Sequence, residues 1–224
     1  MSSVRRPGDG SEPGGSKPGG GPGLSLDVIL DVAIGIADRD GIGAVSMRRL
    51  AGELSVTPMA LYWHVANRSA LIDAMAARVL GTAVFPDGTG LDWDDQLRQS
   101  LEAVVAVLRS HRWMGEIATS RYIRTDPYLH LLDQLIGASA RAGIDTGTAV
   151  ELLDISLDWL VTVVAGEATA CDPDPALITF FSAQRDYPHV RTAASPLSSV
   201  SAGRAQLAIS MIIDGFRARA PVGE

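Results

Sequence analysis

The sequence has a single cysteine, Cys171, among its 224 residues. One thiol cannot form an internal disulfide framework, so the fold must depend on the packing of its core. No apolar run reaches the roughly 18 residues that a membrane span requires, and no apolar stretch follows the N-terminal arginines as in a secretory signal. These absences predict a cytoplasmic globular protein that has no membrane partner.

Signatures of catalysis and of bound cofactors are also missing. The four histidines show no metal-ligand spacing, and the sequence has no nucleophile elbow, phosphate-binding loop or dinucleotide fingerprint. The glycine-rich stretch around Lys17 has no Ser or Thr directly after the lysine. The sequence therefore predicts a protein that is not an enzyme and that uses no metal and no cofactor.

The net charge of −7 is unfavourable for a nucleic-acid-binding protein, but the charge is unevenly distributed. Residues 1–81 hold 8 basic and 8 acidic residues, so the rest of the chain carries the whole excess of acid. Within 46–68, Arg48, Arg49 and Arg68 stand against Glu53 alone. This distribution permits nucleic-acid contact near the N-terminus.

Residues 1–23 hold 8 glycines and 4 prolines and should form a disordered tail, because they cannot bury enough apolar surface to order. Beyond them the spacing of apolar residues predicts helices, with four short ones in residues 24–81 and longer ones in residues 82–224, and no strands. We therefore expect an all-α fold with a small N-terminal and a larger C-terminal domain. The predicted helices cover about 25–39, 46–54, 58–64, 68–80, 92–110, 113–119, 126–142, 146–170, 175–182 and 203–219. Residues 183–202, rich in Ser, Pro and Arg, are predicted to form a loop.

Two short helices joined by a tight turn near residues 46–64 indicate a helix-turn-helix unit. Ser46 and Thr57 are predicted to be the N-caps of these helices, and Pro58 takes a first helical position, where its missing N–H costs nothing. The side chains predicted to face inward are Leu50, Ala51, Leu54, Val56, Leu61 and Val65.

The outer face of the second helix then carries Pro58, Met59, Tyr62 and Trp63, with Ala60 near its start and His64 at its end. Exposed aromatic side chains beside arginines suit contact with DNA phosphates and groove edges. The alternative, in which Trp63 packs on the next helix and Tyr62 is an ordinary surface residue, is equally open from physical reasoning alone.

The stretch "SMRRLAGELSVTPMALYWHVANRSALIDAM", residues 46–75, resembles the DNA-binding domain of the tetracycline-repressor-like (TetR) family of transcription regulators. Weaker similarity continues through "DWDDQLRQSLEAVVAVLRSHRW", "LDQLIGASARAGI" and "SMIIDGFRA". The resemblance implies a helical homodimer that binds a palindromic double-stranded operator DNA. It also implies a small-molecule effector that enters the C-terminal domain and releases the DNA.

The resemblance also implies roles for individual residues in DNA binding. Arg48 would contact a base edge or a phosphate, and Pro58, Met59 and Ala60 occupy the base-reading positions. Because Pro58 and Ala60 have no side-chain donor, the operator should differ from that of the tetracycline repressor. Ser55 stands where the family often has a turn glycine. The implied phosphate contacts are Tyr62, Trp63, His64 and Arg68.

The implied effector site is in the C-terminal domain. Ala118 falls where tetracycline-binding members have a magnesium-binding histidine, so a magnesium–tetracycline effector is not expected. Each candidate in the pocket could equally be an ordinary core residue. The candidates are Ser100, Val104, Trp113, Gln134 and Trp159.

Residues 150–164 and 207–216 are more apolar than a single core-facing stripe requires. Pairing both segments with their copies in a two-fold four-helix bundle would bury the excess, whereas a monomeric core around them is the alternative. The predicted interface residues are Leu153, Leu157, Val164, Ile209, Ile213 and Phe216. The predicted function is a ligand-released repressor, and the alternatives are an activator of the same fold or a helical enzyme or ligand-binding protein with a vestigial helix-turn-helix.

Overall fold

The structure is a computed structural model that describes residues 24–120, 123–169, 175–197 and 203–221. These ranges hold eleven α-helices, one 3₁₀ turn at Ile42–Ala44 and no strand, which confirms the all-α prediction. The helices are α1 Leu26–Asp40, α2 Met47–Glu53, α3 Pro58–Tyr62, α4 Arg68–Thr82, α5 Trp93–Ser110, α6 Trp113–Ser120, α7 Asp126–Arg141, α8 Thr146–Thr169, α9 Pro175–Ser182, α10 Pro188–Leu197 and α11 Arg204–Arg217. The expected tail, 1–23, and Cys171 lie outside the described residues.

The prediction of a loop over 183–202 is wrong, because α10 occupies Pro188–Leu197. Proline at the first helical position does not interrupt a helix, since that N–H has no intrahelical acceptor. Thr192 then donates its hydroxyl hydrogen to the Pro188 carbonyl at 2.9 Å, within the helix. The serine and proline content of this segment therefore predicted a loop, but Pro188 is the residue at which the helix begins.

Side-chain caps determine where the first four helices begin. The Ser46 Oγ accepts a hydrogen bond from the Arg49 N–H at 3.2 Å, and the Thr57 Oγ1 accepts one from the Ala60 N–H at 3.3 Å. Ser25 and Asn67 cap α1 and α4 in the same way. Each cap satisfies a backbone donor that the helix itself cannot, and the predicted caps of α2 and α3 are confirmed.

The turn between α2 and α3 depends on Ser55, whose φ of 54° lies in the left-handed region. That conformation costs an L-residue about 1 kcal/mol, which explains why glycine suits this position better. The Val56 N–H donates to the Ala51 carbonyl at 2.9 Å and closes the end of α2. The turn therefore redirects the chain within a few residues and sets α3 at an angle to α2.

Helix α5 lies at the centre of the larger part of the protein and packs against α7, α8 and α11. Its buried face includes Leu97, Leu101 and Val105, at 0–2% exposure. Helix α4 continues from the helix-turn-helix part and contacts α7, so the buried core runs without a break from α1 to α11. Among the described residues, no helix is both long enough and apolar enough to cross a bilayer.

Candidate nucleic-acid interface and effector cavity

The inner stripe of the helix-turn-helix unit is thin and aliphatic. Leu50, Ala51 and Leu61 are 0–2% exposed and Val65 is 5% exposed, as their spacing predicts. Leu54 and Val56 are half-buried at the turn. Because this stripe occupies only one side of α3, the opposite side of α3 is left in solvent.

The solvent side of α3 and of the residue that follows it is aromatic. The exposed fraction is 86% for Trp63, 67% for Met59 and 46% for Tyr62. Trp63 therefore does not pack on α4, and the structure decides against that alternative. Pro58 and His64 are also exposed, whereas Ala60 is half-buried.

Two neighbouring arginines on α2 differ in their partners. Arg49 is hydrogen-bonded to the Asp40 carboxylate, and its Nε lies 3.9 Å from the Glu53 Oε1. Arg48 is exposed and makes no hydrogen bond or ion pair within the described residues. Arg48 is therefore the α2 arginine whose guanidinium is available to an external anion.

Arg68, predicted to contact a phosphate, has partners inside the protein. Its Nε donates to the Val45 carbonyl and its Nη2 to the Ile42 carbonyl, both at 2.7 Å. These bonds tie the start of α4 to the segment that leads into α2. Arg68 therefore orients the helix-turn-helix unit, because one edge of its guanidinium is hydrogen-bonded to the backbone.

A cavity of about 270 Å³ lies between α5, α6, α7 and α8. Its wall is largely aliphatic and includes Leu80 from α4, so the cavity touches the last helix of the helix-turn-helix part. Val104, predicted from sequence, lines it, as does Ala118. No cluster of His, Cys, Asp or Glu side chains among the described residues is placed to hold a metal ion.

The other predicted effector residues lie outside the cavity wall. Ser100 is fully buried one turn before Val104 on α5, and its hydroxyl has no hydrogen-bond partner in the described part of the chain. The Gln134 Oε1 accepts a hydrogen bond from the buried Gln96 amide at 2.8 Å. Trp113 is buried beside α1, and Trp159 is 38% exposed on the outer side of α8.

Sequence reasoning missed the two acidic residues of the cavity, although it had considered Tyr128 as either a core or a pocket residue. Tyr128 of α7 and Asp154 and Asp158 of α8 line it, together with Leu153 and Leu157. The two aspartates are four residues apart in an apolar helix, and that spacing was a visible signal that they share a face.

A second, wider groove of about 630 Å³ lies where α5 ends, beside α6 and α8. The Arg109 Nη2 lies 2.8 Å from the Glu167 Oε2, and the Ala205 N–H donates to the other carboxylate oxygen. Burial opposes ionisation of Glu167, but the hydrogen bonds from Arg109 and Ala205 outweigh it and lower its pKa. This carboxylate therefore joins α5, α8 and α11.

Three predicted interface residues are core residues of the single chain. Ile209, Ile213 and Phe216 are 0–1% exposed, so they have no surface left to contribute to a partner. Leu153 and Val164 are also buried, at 3% and 5%. Their apolar character is explained within the subunit, and this corrects the assignment made from sequence.

The outer faces of α8 and α11 nevertheless remain apolar through other side chains. Ile155 is 69% and Trp159 38% exposed on α8, and Leu207 is 63% and Met211 54% exposed on α11. Each pair is spaced by four residues and so shares one face of its helix. Helices α8 and α11 pack on each other, so the two apolar faces belong to neighbouring helices.

A helix-turn-helix unit with an exposed aromatic recognition face, joined to a helical body around an apolar cavity, is the architecture of a DNA-binding regulator. Residues 29–75 match the tetR family of bacterial regulatory proteins, and residues 85–220 match the tetracyclin repressor-like C-terminal domain. The second match alone covers more than half of the chain. The chain belongs to the TetR family of transcription regulators.

Known proteins resemble the chain along most of its length. An HTH-type transcriptional regulator of Saccharopolyspora erythraea is 31% identical over 155 residues, which are 69% of this chain and 66% of that protein, just short of two thirds of its length. ActR of Streptomyces coelicolor has a TM-score of 0.78 at 25% identity without ligand, over 88% of this chain and 96% of ActR. The complex of ActR with actinorhodin has a TM-score of 0.76 at 27% identity, and the match covers 89% of this chain and 99% of ActR. BioQ, solved with its natural double-stranded DNA operator, has a TM-score of 0.60 at 25% identity, and the match covers 87% of this chain and 99% of BioQ.

Proposed function

We propose that this TetR-family regulator is a repressor that binds a palindromic DNA operator as a homodimer and releases it when a small molecule occupies the cavity. The single observation that carries the DNA-binding part is an exposed surface of the helix-turn-helix unit: Trp63, at the end of α3, is 86% exposed, and Arg48 of α2 is exposed with no partner among the described residues. A soluble domain gains nothing from exposing such side chains unless a partner covers them. Because its target is the genome of a bacterium, we also propose a cytoplasmic location.

The proposed DNA contacts divide between base edges and backbone. Met59 and the half-buried Ala60 offer apolar contacts to thymine methyl groups, whereas the aromatic side chains and Arg48 reach phosphates or guanine. A helix of five residues reads too few bases to be selective. A two-fold dimer doubles the site and places two α3 helices in successive major grooves, about 34–36 Å apart.

The proposed dimer uses the outer faces of α8 and α11. Ile155 and Trp159 from one helix and Leu207 and Met211 from the other would pack against their copies in a four-helix bundle. This arrangement leaves the buried residues of the same helices in the subunit core. It also fixes the distance between the two α3 helices, because α4 connects each DNA-binding unit to its body.

The proposed mechanism is a shift between two conformations. Leu80 of α4 belongs to the cavity wall, so a ligand that fills the cavity contacts the helix that carries the DNA-binding unit. A ligand that binds better to a conformation with mismatched α3 spacing shifts the dimer towards that conformation and releases the operator. The solved complexes of ActR with actinorhodin and of BioQ with DNA support both halves of this scheme.

Two alternatives make different predictions. An activator would share the fold, but deletion of the gene would lower expression of its target, whereas deletion of a repressor raises it. A helical enzyme or storage protein with a vestigial helix-turn-helix would bind no specific DNA sequence. Selection of bound fragments from random double-stranded DNA by the purified protein separates that alternative from a regulator.

The experiment for DNA binding compares the two neighbouring arginines. We expect Arg48→Ala to weaken binding to the selected operator and to reduce the slope of log K against log salt by about 1, because one phosphate contact is lost. Arg49→Ala is the matched control, since its guanidinium is already paired with Asp40. Equal salt slopes for the wild type and Arg48→Ala would assign Arg48 to a base edge, and unchanged affinity would refute its role in DNA binding.

A further inference from the structure

We propose that the effector is an amphipathic amine whose apolar body fills the cavity and whose protonated nitrogen lies beside Asp154 and Asp158. The inference deepens the proposed function, because it assumes that this cavity is the effector site.

The charge of the described part of the cavity wall has one sign. Among the described residues that line it, Asp154 and Asp158 are the charged ones, and none is Lys, Arg or His. They are four residues apart on α8 and therefore project from the same face of the helix. Two carboxylates at this spacing repel each other unless a cation lies between them or beside them.

Neither carboxylate is neutralised by a described residue. Within the described ranges, the side chains of Asp154 and Asp158 have no ion pair and accept no hydrogen bond. Other carboxylates of the same body are paired, as Asp94 is with Arg217 and Glu167 is with Arg109. Among the described side chains, nothing compensates the negative charge of these two aspartates, which lie next to an apolar space.

The position of the charge defines the orientation of the ligand. Both aspartates are exposed to solvent while they line the cavity, so they lie at its mouth, whereas Leu131 and Leu153 inside are nearly fully buried. An anionic group would be repelled at this mouth, and it would lose hydration without compensation further in. A protonated amine gains a charge-assisted contact at the mouth while its apolar part replaces water along the aliphatic wall.

The size of the cavity limits the apolar part. A volume of about 270 Å³ lies near the lower end of the range for small-molecule pockets. It suits a ring system of two or three fused rings with an alkylamine arm better than a large polycyclic ligand. Tyr128, the aromatic residue of the wall, offers a ring for stacking with such a body.

The test uses three fluorescent probes that share one dansyl group and one linker. Dansylcadaverine carries a primary amine, its N-acetyl derivative is neutral, and dansyl-aminohexanoate is an anion. Dansyl fluorescence rises when the group leaves water, so each probe can be titrated directly with the wild-type dimer near neutral pH. We expect the amine to bind about tenfold more tightly than the acetylated probe, equivalent to about 1.4 kcal/mol, and the anion to bind most weakly.

Variants then locate the charge effect. In Asp154→Asn/Asp158→Asn the preference for the amine over the acetylated probe should disappear, while binding of the acetylated probe is unchanged. Asp133→Asn/Glu151→Gln removes the same charge from exposed sites outside the cavity wall and should keep the preference. Ala118→Phe narrows the cavity itself and should weaken all three probes.

The outcomes separate this inference from the proposed function. If the probes bind in a manner sensitive to Ala118→Phe but show no preference for the amine, the cavity is a ligand site and the amine proposal is wrong. If the preference persists in Asp154→Asn/Asp158→Asn, the proposal also fails. If no probe binds, or Ala118→Phe has no effect, both the amine proposal and the assignment of this cavity as the effector site are overturned.

Discussion

The indole Nε1 of Trp113 donates a hydrogen bond of 2.7 Å to the Oδ1 of Asp38. Trp113 begins α6 and Asp38 lies near the end of α1, so the bond joins the body of the protein to its DNA-binding part. The Nδ1 of His111 lies 2.9 Å from the same carboxylate oxygen. Because α6 also contributes Met114 and Ala118 to the cavity wall, this contact links the cavity to α1 by one short helix.

Trp113→Phe should weaken this link while an aromatic ring still fills most of the buried space. We expect the free energy of unfolding to fall by about 1–3 kcal/mol, the usual effect of losing a partly buried hydrogen bond to a charged group. The effector concentration that releases the operator should rise, because movement of α6 is transmitted less completely to α1. Denaturant unfolding and effector titration of the operator complex measure the two effects. Trp93→Phe is the control, and an unchanged effector response in Trp113→Phe would exclude a coupling role.

Arg68→Ala should act on stability more than on the salt dependence of DNA binding. The substitution removes the hydrogen bonds to the Val45 and Ile42 carbonyls, and we expect a loss of about 2 kcal/mol in the free energy of unfolding. Arg48→Ala, which removes an exposed and unpaired arginine, should leave unfolding unchanged. The opposite pattern, normal stability with a shallower salt slope for Arg68→Ala, would show that Arg68 is a phosphate contact.

The Asp94–Arg217 pair joins the start of α5 to the end of α11. It should affect how the free energy of unfolding changes at acid pH. The hydrogen bond from Arg217 lowers the pKa of Asp94 despite partial burial of the carboxyl. A lowered pKa stabilises the folded state above the unfolded-state value of about 3.9, and this contribution is lost as the pH falls towards the folded pKa. Asp94→Asn should therefore lose less stability than the wild type between about pH 5 and about pH 3. The pair is partly exposed, so the difference should stay below about 1 kcal/mol. Asp95→Asn is the matched control, and identical acid profiles for Asp94→Asn and the wild type would contradict the assignment.

Charge on the outer faces of α8 and α11 should separate the proposed dimer without unfolding its subunits. In Ile155→Asp/Met211→Asp, the carboxylates replace side chains that are 69% and 54% exposed, so we expect folded monomers and loss of operator binding. Sedimentation at micromolar concentration measures the mass, and circular dichroism measures the helix content. Val84→Asp, at an apolar site that is 87% exposed elsewhere, should remain dimeric. A wild-type protein that sediments as a monomer would refute the dimer and the palindromic operator together.

The helix-turn-helix part could be predicted almost completely from sequence, because its determinants are local. Ser46 and Thr57 cap their helices within three residues, and Pro58 begins α3 by its own geometry. The aliphatic stripe of Leu50 and Leu61 follows from helical periodicity, which leaves the aromatic side chains outside. Periodicity could not decide whether Trp63 packs on α4, because that depends on how α4 is placed relative to α3.

In the larger domain, the local sequence pattern predicted the helices better than it predicted which of their side chains are buried. The amino-acid sequence by itself determined the helices of this domain other than α10, since helix formation depends on spacing and caps within a few turns. Only the tertiary structure decided which apolar side chains of α8 and α11 are buried, because both helices are apolar on several sides and their rotation depends on α5. In the structure Ile213 is buried in the core, whereas Met211 is exposed. The indole of Trp113 is hydrogen-bonded to Asp38 and does not line the cavity. The tertiary structure also brought Asp154 and Asp158 to the mouth of an apolar space, because a cavity forms between helices that are distant in the chain and its wall is set by how they pack.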